Sequence, residues 1–246
     1  MSSERAAEQK TALVFGGSRG IGAAAALRLA KDGFTVALTY VSQPDKAEKV
    51  VAEIEALGGH ALDIQADSAD PGAIRAAVVR TVERFGPIDA VVVNAGIIRV
   101  GGIETFKLED LDRMLAVNVR GVYLSIQAAV PHMRDSGRVI TVGSNTAVRS
   151  SNSGTCVYAM TKAAVATMVK GIALDLAPRR ITVNNIQPGP IETDMTAAMI
   201  PRLTEMVPLH RVGQPAEIAA LVSYLVSEEA GYMTGASLTI DGGFVL

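Results

Sequence analysis

Short apolar runs alternate with longer amphipathic segments along the whole chain. Seven runs predict strands, at Thr11–Phe15, Thr35–Tyr40, Ala61–Ala66, Ile88–Val93, Arg138–Val142, Ile181–Ile186 and Leu238–Ile240. Six segments between them predict helices, at Gly20–Asp32, Ala47–Leu57, Pro71–Phe85, Leu108–Arg134, Val157–Ala177 and Pro215–Ser227. This alternation predicts an α/β fold with a doubly wound, seven-stranded parallel sheet and helices on both faces. The uniformly apolar run Ala90–Val93 is typical of such a doubly covered sheet.

Composition narrows the class of protein. The 246 residues include 23 Lys and Arg against 25 Asp and Glu, a net charge of −2. With 49% hydrophobic and 20% charged residues, the chain can form a large core, which excludes global disorder. Aromatic residues make up 4% and Trp is absent. Because basic runs are also absent, we expect no nucleic-acid partner. The single Cys156 excludes an internal disulfide framework and a cysteine-rich metal site.

The two ends of the domain and one internal connection also carry predictions. Residues 1–10 form a polar tail without the apolar segment of a secretory signal, which leaves 11–246 as a single domain. The longest apolar stretches, such as Ile218–Val226, are shorter than the ~20 residues needed to cross a bilayer. We therefore expect a cytoplasmic protein with no membrane partner. The long connection 188–214, with four prolines, predicts a substrate lid.

A glycine-rich turn follows the first predicted strand. Thr11–Phe15 leads into Gly16-Gly-Ser-Arg-Gly-Ile-Gly22, and an alanine-rich helix comes next. Glycines let a backbone approach a pyrophosphate closely, and the helix N-terminus stabilises its charge. A lone glycine-rich turn can also be only a tight strand–helix connection. Its position after the first strand of an alternating pattern favours nucleotide binding.

The spacing of this turn resembles the short-chain dehydrogenase/reductase family, and further motifs of that family follow in order. They are Asn94-Ala-Gly96, Asn118, Ser144, Tyr158-x-x-x-Lys162, Pro188-Gly189, Thr234-Gly235 and Asp241-Gly-Gly243. The resemblance implies a Rossmann-type fold. Two departures stand out: Phe15 replaces the usual Thr, so a hydroxyl that ties the turn is missing, and Tyr158 follows Ser144 by 14 positions rather than 13. With both departures, the chain resembles a subgroup of the family that contains a biofilm-dispersal protein described as binding cyclic di-GMP.

Four residues form the predicted catalytic set. Tyr158 and Lys162 are four positions apart, so they share one face of a helix. A nearby ammonium favours the phenolate and lowers the pKa of the phenol from ~10, which suits proton transfer to a carbonyl oxygen. The resemblance implies that Ser144 holds the substrate oxygen, and that Asn118 kinks its helix and supports a water between Lys162 and solvent. The alternatives are that Tyr158 is a core tyrosine beside a solvated Lys162, and that Ser144 only forms a turn. Asn118 could likewise be a buried amide whose hydrogen bonds are satisfied.

The resemblance also implies a set of cofactor-binding residues. They are Gly16, Ser18, Arg19, Gly20, Ile21, Gly22, Tyr40, Asp67, Ser68, Asn94, Ala95, Gly96, Tyr158, Lys162, Pro188, Gly189, Ile191 and Thr193. Asp67 is expected at the adenine amino group, or else caps the turn before Asp70-Pro71. The second strand ends without an acidic residue to accept from a ribose 2′-hydroxyl, whereas Arg19 can pair with a 2′-phosphate. NADP(H) is therefore predicted over NAD(H).

The leading hypothesis is an NADP(H)-dependent carbonyl reductase or alcohol dehydrogenase for a small-molecule carbonyl or alcohol. The resemblance implies a homotetramer with the helix Val157–Ala177 at an interface. A 3-oxoacyl substrate on a carrier protein stays open: Asp135 stands where such reductases tend to carry a basic residue, while Arg179 and Arg180 could contribute. The alternative from another class is a regulator of the same fold that binds cyclic di-GMP.

Overall fold

A single parallel sheet organises the chain. The computed structural model describes residues 9–150 and 153–246. Within them, the strands lie in the order β3-β2-β1-β4-β5-β6-β7, which confirms the predicted fold class. Their bounds are β1 Lys10–Phe15, β2 Phe34–Tyr40, β3 Ala61–Gln65, β4 Ile88–Val93, β5 Met133–Val142, β6 Thr182–Pro188 and β7 Ser237–Ile240.

Helices cover both faces of this sheet. The α-helices are α1 Gly20–Lys31, α2 Pro44–Ala56, α3 Pro71–Phe85, α4 Leu108–Leu115, α5 Val122–Ala129, α6 Cys156–Leu176, α7 Ile200–Met206 and α8 Pro215–Val226. A π-helical turn, Ala116–Gly121, joins α4 to α5. Shorter 3₁₀ turns lie at Val130–His132, Asn145–Ala147, Ala177–Arg179 and Ala197–Met199.

The predicted strands and helices are confirmed with shifts of a few residues, apart from two differences. The predicted helix Leu108–Arg134 is wrong as one element, because the π turn interrupts it and β5 already begins at Met133. At this turn a Cβ on Gly121 would lie 2.2 Å from the carbonyl oxygen of Ser68, so the helix passes unusually close to the loop after β3. The second difference is α7, which lies in the connection 188–214, where the sequence pattern predicts no helix.

Alternate residues of the central strands enter two separate cores. In β4, Val91 belongs to the core under α3, α5 and α6, and Val92 to the core under α1, α2 and α8. Both side chains are 0% exposed. Successive residues of a strand point to opposite faces, so a strand buried on both faces is apolar throughout.

The strand order creates a crevice between β1 and β4. The chain runs from β1 through β2 to β3 on one side, then returns to β4 and continues to β7 on the other. Loops that leave the carboxyl ends of β1 and β4 therefore diverge, and ligands of such sheets bind in the gap between them.

The connection after β6 is closed at its base. Glu192 N–H donates to Gly213 O at 2.9 Å, and Gly213 N–H donates to Pro190 O at 2.9 Å. The Ile191 and Val207 side chains are buried. The segment between Glu192 and Gly213 thus leaves the carboxyl edge of the sheet and returns to it.

One segment, Cys156–Arg179, is long and apolar enough to cross a membrane by length and composition alone. In the fold, its helix α6 packs against β6. Val165 and Val169 of this helix belong to the core. One side of this segment thus covers the sheet of this fold.

Candidate active site

The glycine turn after β1 has no room for side chains. Gly16 has φ +78°, and a Cβ there would lie 2.9 Å from the backbone of Ala95. A Cβ on Gly22 would lie 2.0 Å from Gly16 O. This packing brings the backbone of the turn directly against the start of the loop after β4.

The hydroxyl that the sequence lacks at Phe15 comes from another strand. Gly16 N–H donates to Thr39 Oγ1 of β2 at 2.9 Å, and Asn94 Nδ2 donates to Gly16 O at 2.8 Å. Phe15 is 1% exposed and packs in the core instead. The turn is therefore tied on both sides despite the unusual residue.

Helix α1 begins directly after this turn. Arg19 precedes its first residue, Gly20, in an extended conformation. The first four N–H groups of an α-helix have no acceptor within the helix, so they are available to an anion. The glycine turn and this helix end fit a pyrophosphate group, and Ser18 and Ile21 lie in the same stretch.

Ser144 follows β5 on the other side of the crevice. It is buried, and its Oγ accepts from Thr146 N–H at 3.2 Å and from the Thr146 hydroxyl at 2.9 Å. Because two donors already point at this oxygen, the Ser144 proton is left to donate elsewhere. A hydrogen bond between Ser144 and Tyr158 opposes the rise of the Tyr158 pKa.

Helix α6 carries the tyrosine and the lysine on one face. Lys162 Nζ lies 5.6 Å from the centroid of the Tyr158 ring and donates to Val142 O at 3.0 Å. Burial lowers the pKa of Lys162 to about 8. Burial also raises the pKa of Tyr158 above its ordinary value. The expected lowering of the phenol pKa is therefore wrong for the protein alone, because removal from water disfavours the phenolate.

Asn118 lies in the π-helical turn and is fully buried. Its Nδ2 donates to Ile97 O at 2.8 Å and to Thr161 Oγ1 at 3.2 Å, while its Oδ1 accepts from Ile97 N–H at 2.9 Å. The resemblance implied a kink at Asn118, and the structure has the π-helical turn Ala116–Gly121 there. The amide is at the same time satisfied by protein groups, and it fixes the loop after Gly96. A Cβ on Gly96 would lie 3.5 Å from Asn118 Oδ1 and 3.3 Å from Lys162 Nζ.

The loop after β3 is tied to α4. Asp67 accepts from Ala69 N–H at 2.9 Å and forms an ion pair with Arg113, whose Nη2 lies 2.9 Å from Oδ2. Asp67 thereby caps the turn before Asp70-Pro71, as the alternative interpretation has it, and Asp70 caps α3 by accepting from Gly72 N–H. Ser68 is buried against the π turn. A role of Asp67 at an adenine amino group stays a prediction.

The remaining predicted cofactor residues lie at the same edge. Tyr40 ends β2 and Pro188 ends β6. A Cβ on Gly189 would lie 2.5 Å from the Asp241 side chain, and a Cβ on Gly20 would lie 3.2 Å from Thr193. The structure thus brings the predicted residues of β1, β4, β5, α6 and the 188–193 segment to one edge of the sheet.

Sequence reasoning missed several residues that support this edge. They are Thr39 at the glycine turn, Thr146 at Ser144, Thr161 at Asn118, Arg113 at Asp67, and the pair Lys46 and Asp194 beside Arg19. Thr146 carried a signal, since it stands two positions after the predicted serine. The other residues come from distant segments and carried none.

The two arginines considered for a carrier protein are held locally. Arg179 forms an ion pair with Asp135 at 2.8 Å and donates to the backbone of Val130 and Met133. Arg180 donates to Ser136 Oγ at 3.2 Å. Arg179 is therefore engaged within its own chain, which weakens the case for an acidic carrier at this point.

Comparisons with known proteins identify relatives over nearly the whole chain. Residues 16–245 match the family model described as Enoyl-(Acyl carrier protein) reductase. Versicolorin reductase 1 of Aspergillus parasiticus is 39% identical over 99% of both chains. A 3-oxoacyl-[acyl-carrier-protein] reductase of Staphylococcus aureus is 40% identical over 96% of this chain and 98% of its own. The cyclic-di-GMP-binding biofilm dispersal mediator protein of Escherichia coli is 39% identical over 96% and 97%.

Solved structures agree with this fold. A short-chain dehydrogenase/reductase from Serratia marcescens has a TM-score of 0.95 and 49% identity over 97% of this chain and 99% of its own. A short-chain dehydrogenase from Burkholderia cenocepacia in complex with NADP has a TM-score of 0.94 and 46% identity, with the same coverage. With its sheet order, glycine turn and family match, this chain is a member of the short-chain dehydrogenase/reductase family.

Proposed function

We propose that this protein is an NADP(H)-dependent reductase of ketones or aldehydes, which also oxidises the corresponding alcohols. The observation that carries the proposal is the meeting of Ser144, Tyr158 and Lys162 at the carboxyl edge of the sheet, across the crevice from the glycine turn. Reductase homologues and an NADP complex among the structural neighbours support it.

The chain's own groups divide the work around a substrate oxygen. When bound, NADPH supplies the hydride for the carbonyl carbon. Ser144 donates a hydrogen bond to the carbonyl oxygen, since its own oxygen is occupied by Thr146. Tyr158 gives its proton to that oxygen, and its raised pKa keeps the phenol protonated at neutral pH. Lys162, held by Val142 O, would contact the nicotinamide ribose and favour the phenolate that results.

The proposed cofactor site is the glycine turn with the N-terminus of α1. The backbone cradle at Gly16 and Gly22 would bind the pyrophosphate. Arg19 would bind the 2′-phosphate, so the Arg19→Ala variant should bind NADPH roughly 10- to 100-fold more weakly and NADH almost unchanged. Equal losses with both cofactors would show that Arg19 does not discriminate.

A spectrophotometric assay tests the activity. NADPH absorbance is followed with ketones, aldehydes and a β-ketoester, with Tyr158→Phe as the matched control. We expect turnover with at least one small carbonyl compound and its loss in the variant. Turnover only with substrates loaded on a carrier protein would shift the substrate class to 3-oxoacyl groups. Turnover equal in both proteins would contradict the proposed mechanism.

The second candidate is a regulator that binds cyclic di-GMP. One relative, 39% identical over 96% of this chain, carries that ligand in its name. Calorimetric titration of the protein with cyclic di-GMP, with and without NADP⁺, separates the two functions. Binding without turnover on any carbonyl substrate would favour the regulator.

Assembly, location and mobility complete the proposal. We place α6 at the interface of a homotetramer, because Leu174 of this helix is 78% exposed and apolar.

We further propose that residues 188–214 act as the substrate lid. Met195 and Met199 are exposed beside the crevice, while hydrogen bonds between the two ends of the segment hold it to the sheet. The cytoplasmic location stays a prediction.

A further inference from the structure

Two cations from separate elements contact one carboxylate beside the glycine turn. Lys46 Nζ lies 2.7 Å from Asp194 Oδ2, and Arg19 Nη1 lies 3.5 Å from the same oxygen. Arg19 immediately precedes α1, and Lys46 lies in the first turn of α2. Because both cations contact a single oxygen atom, one anion placed between them can contact both.

We propose that Lys46 is a second ligand of the cofactor's 2′-phosphate, and that Asp194 is an intramolecular anion that holds this position and is displaced by the phosphate. The inference rests on the NADP(H) binding given above. It adds a residue that determines cofactor specificity, and a competitor that sets how strong the preference is.

The place of the cluster in the fold supports a phosphate ligand. In a doubly wound sheet, the end of β2 faces the ribose 2′ position. Helix α2 follows that strand after a three-residue connection, so Lys46, in the first turn of α2, lies close to the end of β2, and it contacts the same carboxylate as Arg19. The carboxylate there belongs to Asp194, which comes from the segment after β6 rather than from β2 itself.

Asp194 is placed by its own turn. Ala197 N–H donates to Thr193 O at 3.0 Å, and Thr193 N–H donates to Thr196 Oγ1 at 3.1 Å. Thr193 also packs at Gly20. The backbone therefore keeps Asp194 beside the glycine turn, while its carboxylate is 59% exposed to solvent.

The charges favour exchange of the carboxylate for a phosphate. The three side chains are between 45% and 59% exposed, and ion pairs between exposed groups contribute little to stability. A phosphate monoester carries about −1.5 to −2 charges at neutral pH, against −1 for a carboxylate. The two cations hold the pKa of Asp194 below its ordinary value, so the competitor is charged whenever the cofactor binds.

Dissociation constants of NADPH and NADH, measured by fluorescence titration, test the inference. The variants are Lys46→Met and Asp194→Asn, with Lys49→Met as the matched control. Lys49 lies one turn further along α2 and faces Glu53 at 4.0 Å. Lys46→Met should weaken NADPH binding about tenfold and leave NADH nearly unchanged. Asp194→Asn should tighten NADPH binding roughly three- to tenfold, because the competing charge is removed.

The control and a combined variant separate the alternatives. Lys49→Met should alter neither constant, and Asp194→Asn should have no effect once Arg19 and Lys46 are both replaced. If Lys49→Met weakened NADPH binding as much as Lys46→Met, Lys46 would contribute only as one of the positive charges of α2, and not as a ligand. Weaker NADH binding in Asp194→Asn would make Asp194 a ribose ligand instead. Unchanged ratios in the variants would overturn this inference alone, whereas wild-type protein that binds neither cofactor would overturn the proposed function as well.

Discussion

The hydroxyl of Thr146 donates to the hydroxyl oxygen of Ser144 across 2.9 Å, and Thr146 N–H donates to the same oxygen at 3.2 Å. A serine hydroxyl has one proton and two acceptor positions. With both positions occupied, the proton of Ser144 can only be donated outward. Thr146 is thus a positioning residue for the group that would hold the substrate oxygen.

Replacement of Thr146 tests that relationship. Thr146→Val keeps the shape and removes the hydroxyl donor, so Ser144 can rotate away from its donating orientation. We expect kcat to fall roughly fivefold to tenfold, the value of one neutral hydrogen bond, with KM little changed. Thr146→Ser should restore kcat. Equal losses in both variants, or a loss confined to KM, would assign Thr146 a purely structural role.

Tyr158→Phe keeps the ring and its packing and removes the proton donor. Loss of a positioned acid slows proton-transfer reactions by ~10²–10⁴-fold, and we expect kcat/KM to fall by that factor. NADPH affinity should change little, since the phosphate contacts of the dinucleotide, rather than one contact with the Tyr158 hydroxyl, are expected to supply most of it. Steady-state kinetics and a fluorescence titration measure both quantities. A variant that folds normally and retains its turnover would rule out Tyr158 as the acid.

Lys162 makes the stability of the fold depend on pH in a predictable direction. Burial lowers its pKa to about 8, whereas an unfolded lysine titrates near ~10.4. Between these values the unfolded chain binds more protons than the folded one, so the free energy of unfolding rises with pH: the destabilisation by the buried charge of Lys162 is fully present below pH 8 and is lost by about pH 10.4. Lys162→Met removes this destabilisation, which is worth about 3 kcal/mol at neutral pH.

Urea denaturation at several pH values measures this effect. The free energy of unfolding of Lys162→Met, relative to the wild type, should decrease as the pH rises from 7 towards 10. Lys170→Met, at an exposed position of the same helix, is the control for the loss of one lysine from α6. A flat difference for Lys162→Met would mean that the lysine is not desolvated in the folded protein.

The Asn118 side chain holds the loop after Gly96 through two hydrogen bonds to Ile97. Asn118→Ala leaves both backbone groups of Ile97 without these partners, and we expect a loss of about 2–4 kcal/mol in the free energy of unfolding. Thr161→Val leaves both Ile97 bonds in place; it removes the contact at 3.2 Å and the hydrogen bond that the Thr161 hydroxyl donates to Tyr158 O at 2.8 Å, and it should cost about 1 kcal/mol. Chemical denaturation compares the two variants. Equal losses would show that the Ile97 bonds contribute little.

The order of apolar and polar positions was sufficient for most of the fold. Strand β4 and helix α3 have the predicted bounds, because a doubly buried strand and an amphipathic helix each have a local period. The helix predicted over Leu108–Arg134 was wrong because its interruption depends on contacts with the loop after β3. Apolar periodicity carries no information about such a contact.

The residues of the candidate site likewise fall into those that the sequence predicts and those that only the structure reveals. The predicted catalytic residues and the glycine turn were recognisable because they sit in short motifs of characteristic spacing. Their placement at one edge agrees with the family to which the chain belongs. By contrast, Thr39, which accepts from Gly16 N–H, lies on a strand 23 positions away. Nothing in the sequence around either residue predicts this contact.

The sequence by itself determined the alternation of elements, the glycine turn and the residue types of the Ser-Tyr-Lys set, because each depends on neighbours along the chain. Tertiary structure alone decided the direction of the pKa shifts at Tyr158 and Lys162, since desolvation depends on what packs around a group. It also decided that Asp194 meets Lys46 across 148 positions of sequence. Folding of the sheet brings these two segments to one edge, and no pattern of neighbouring residues predicts that they meet.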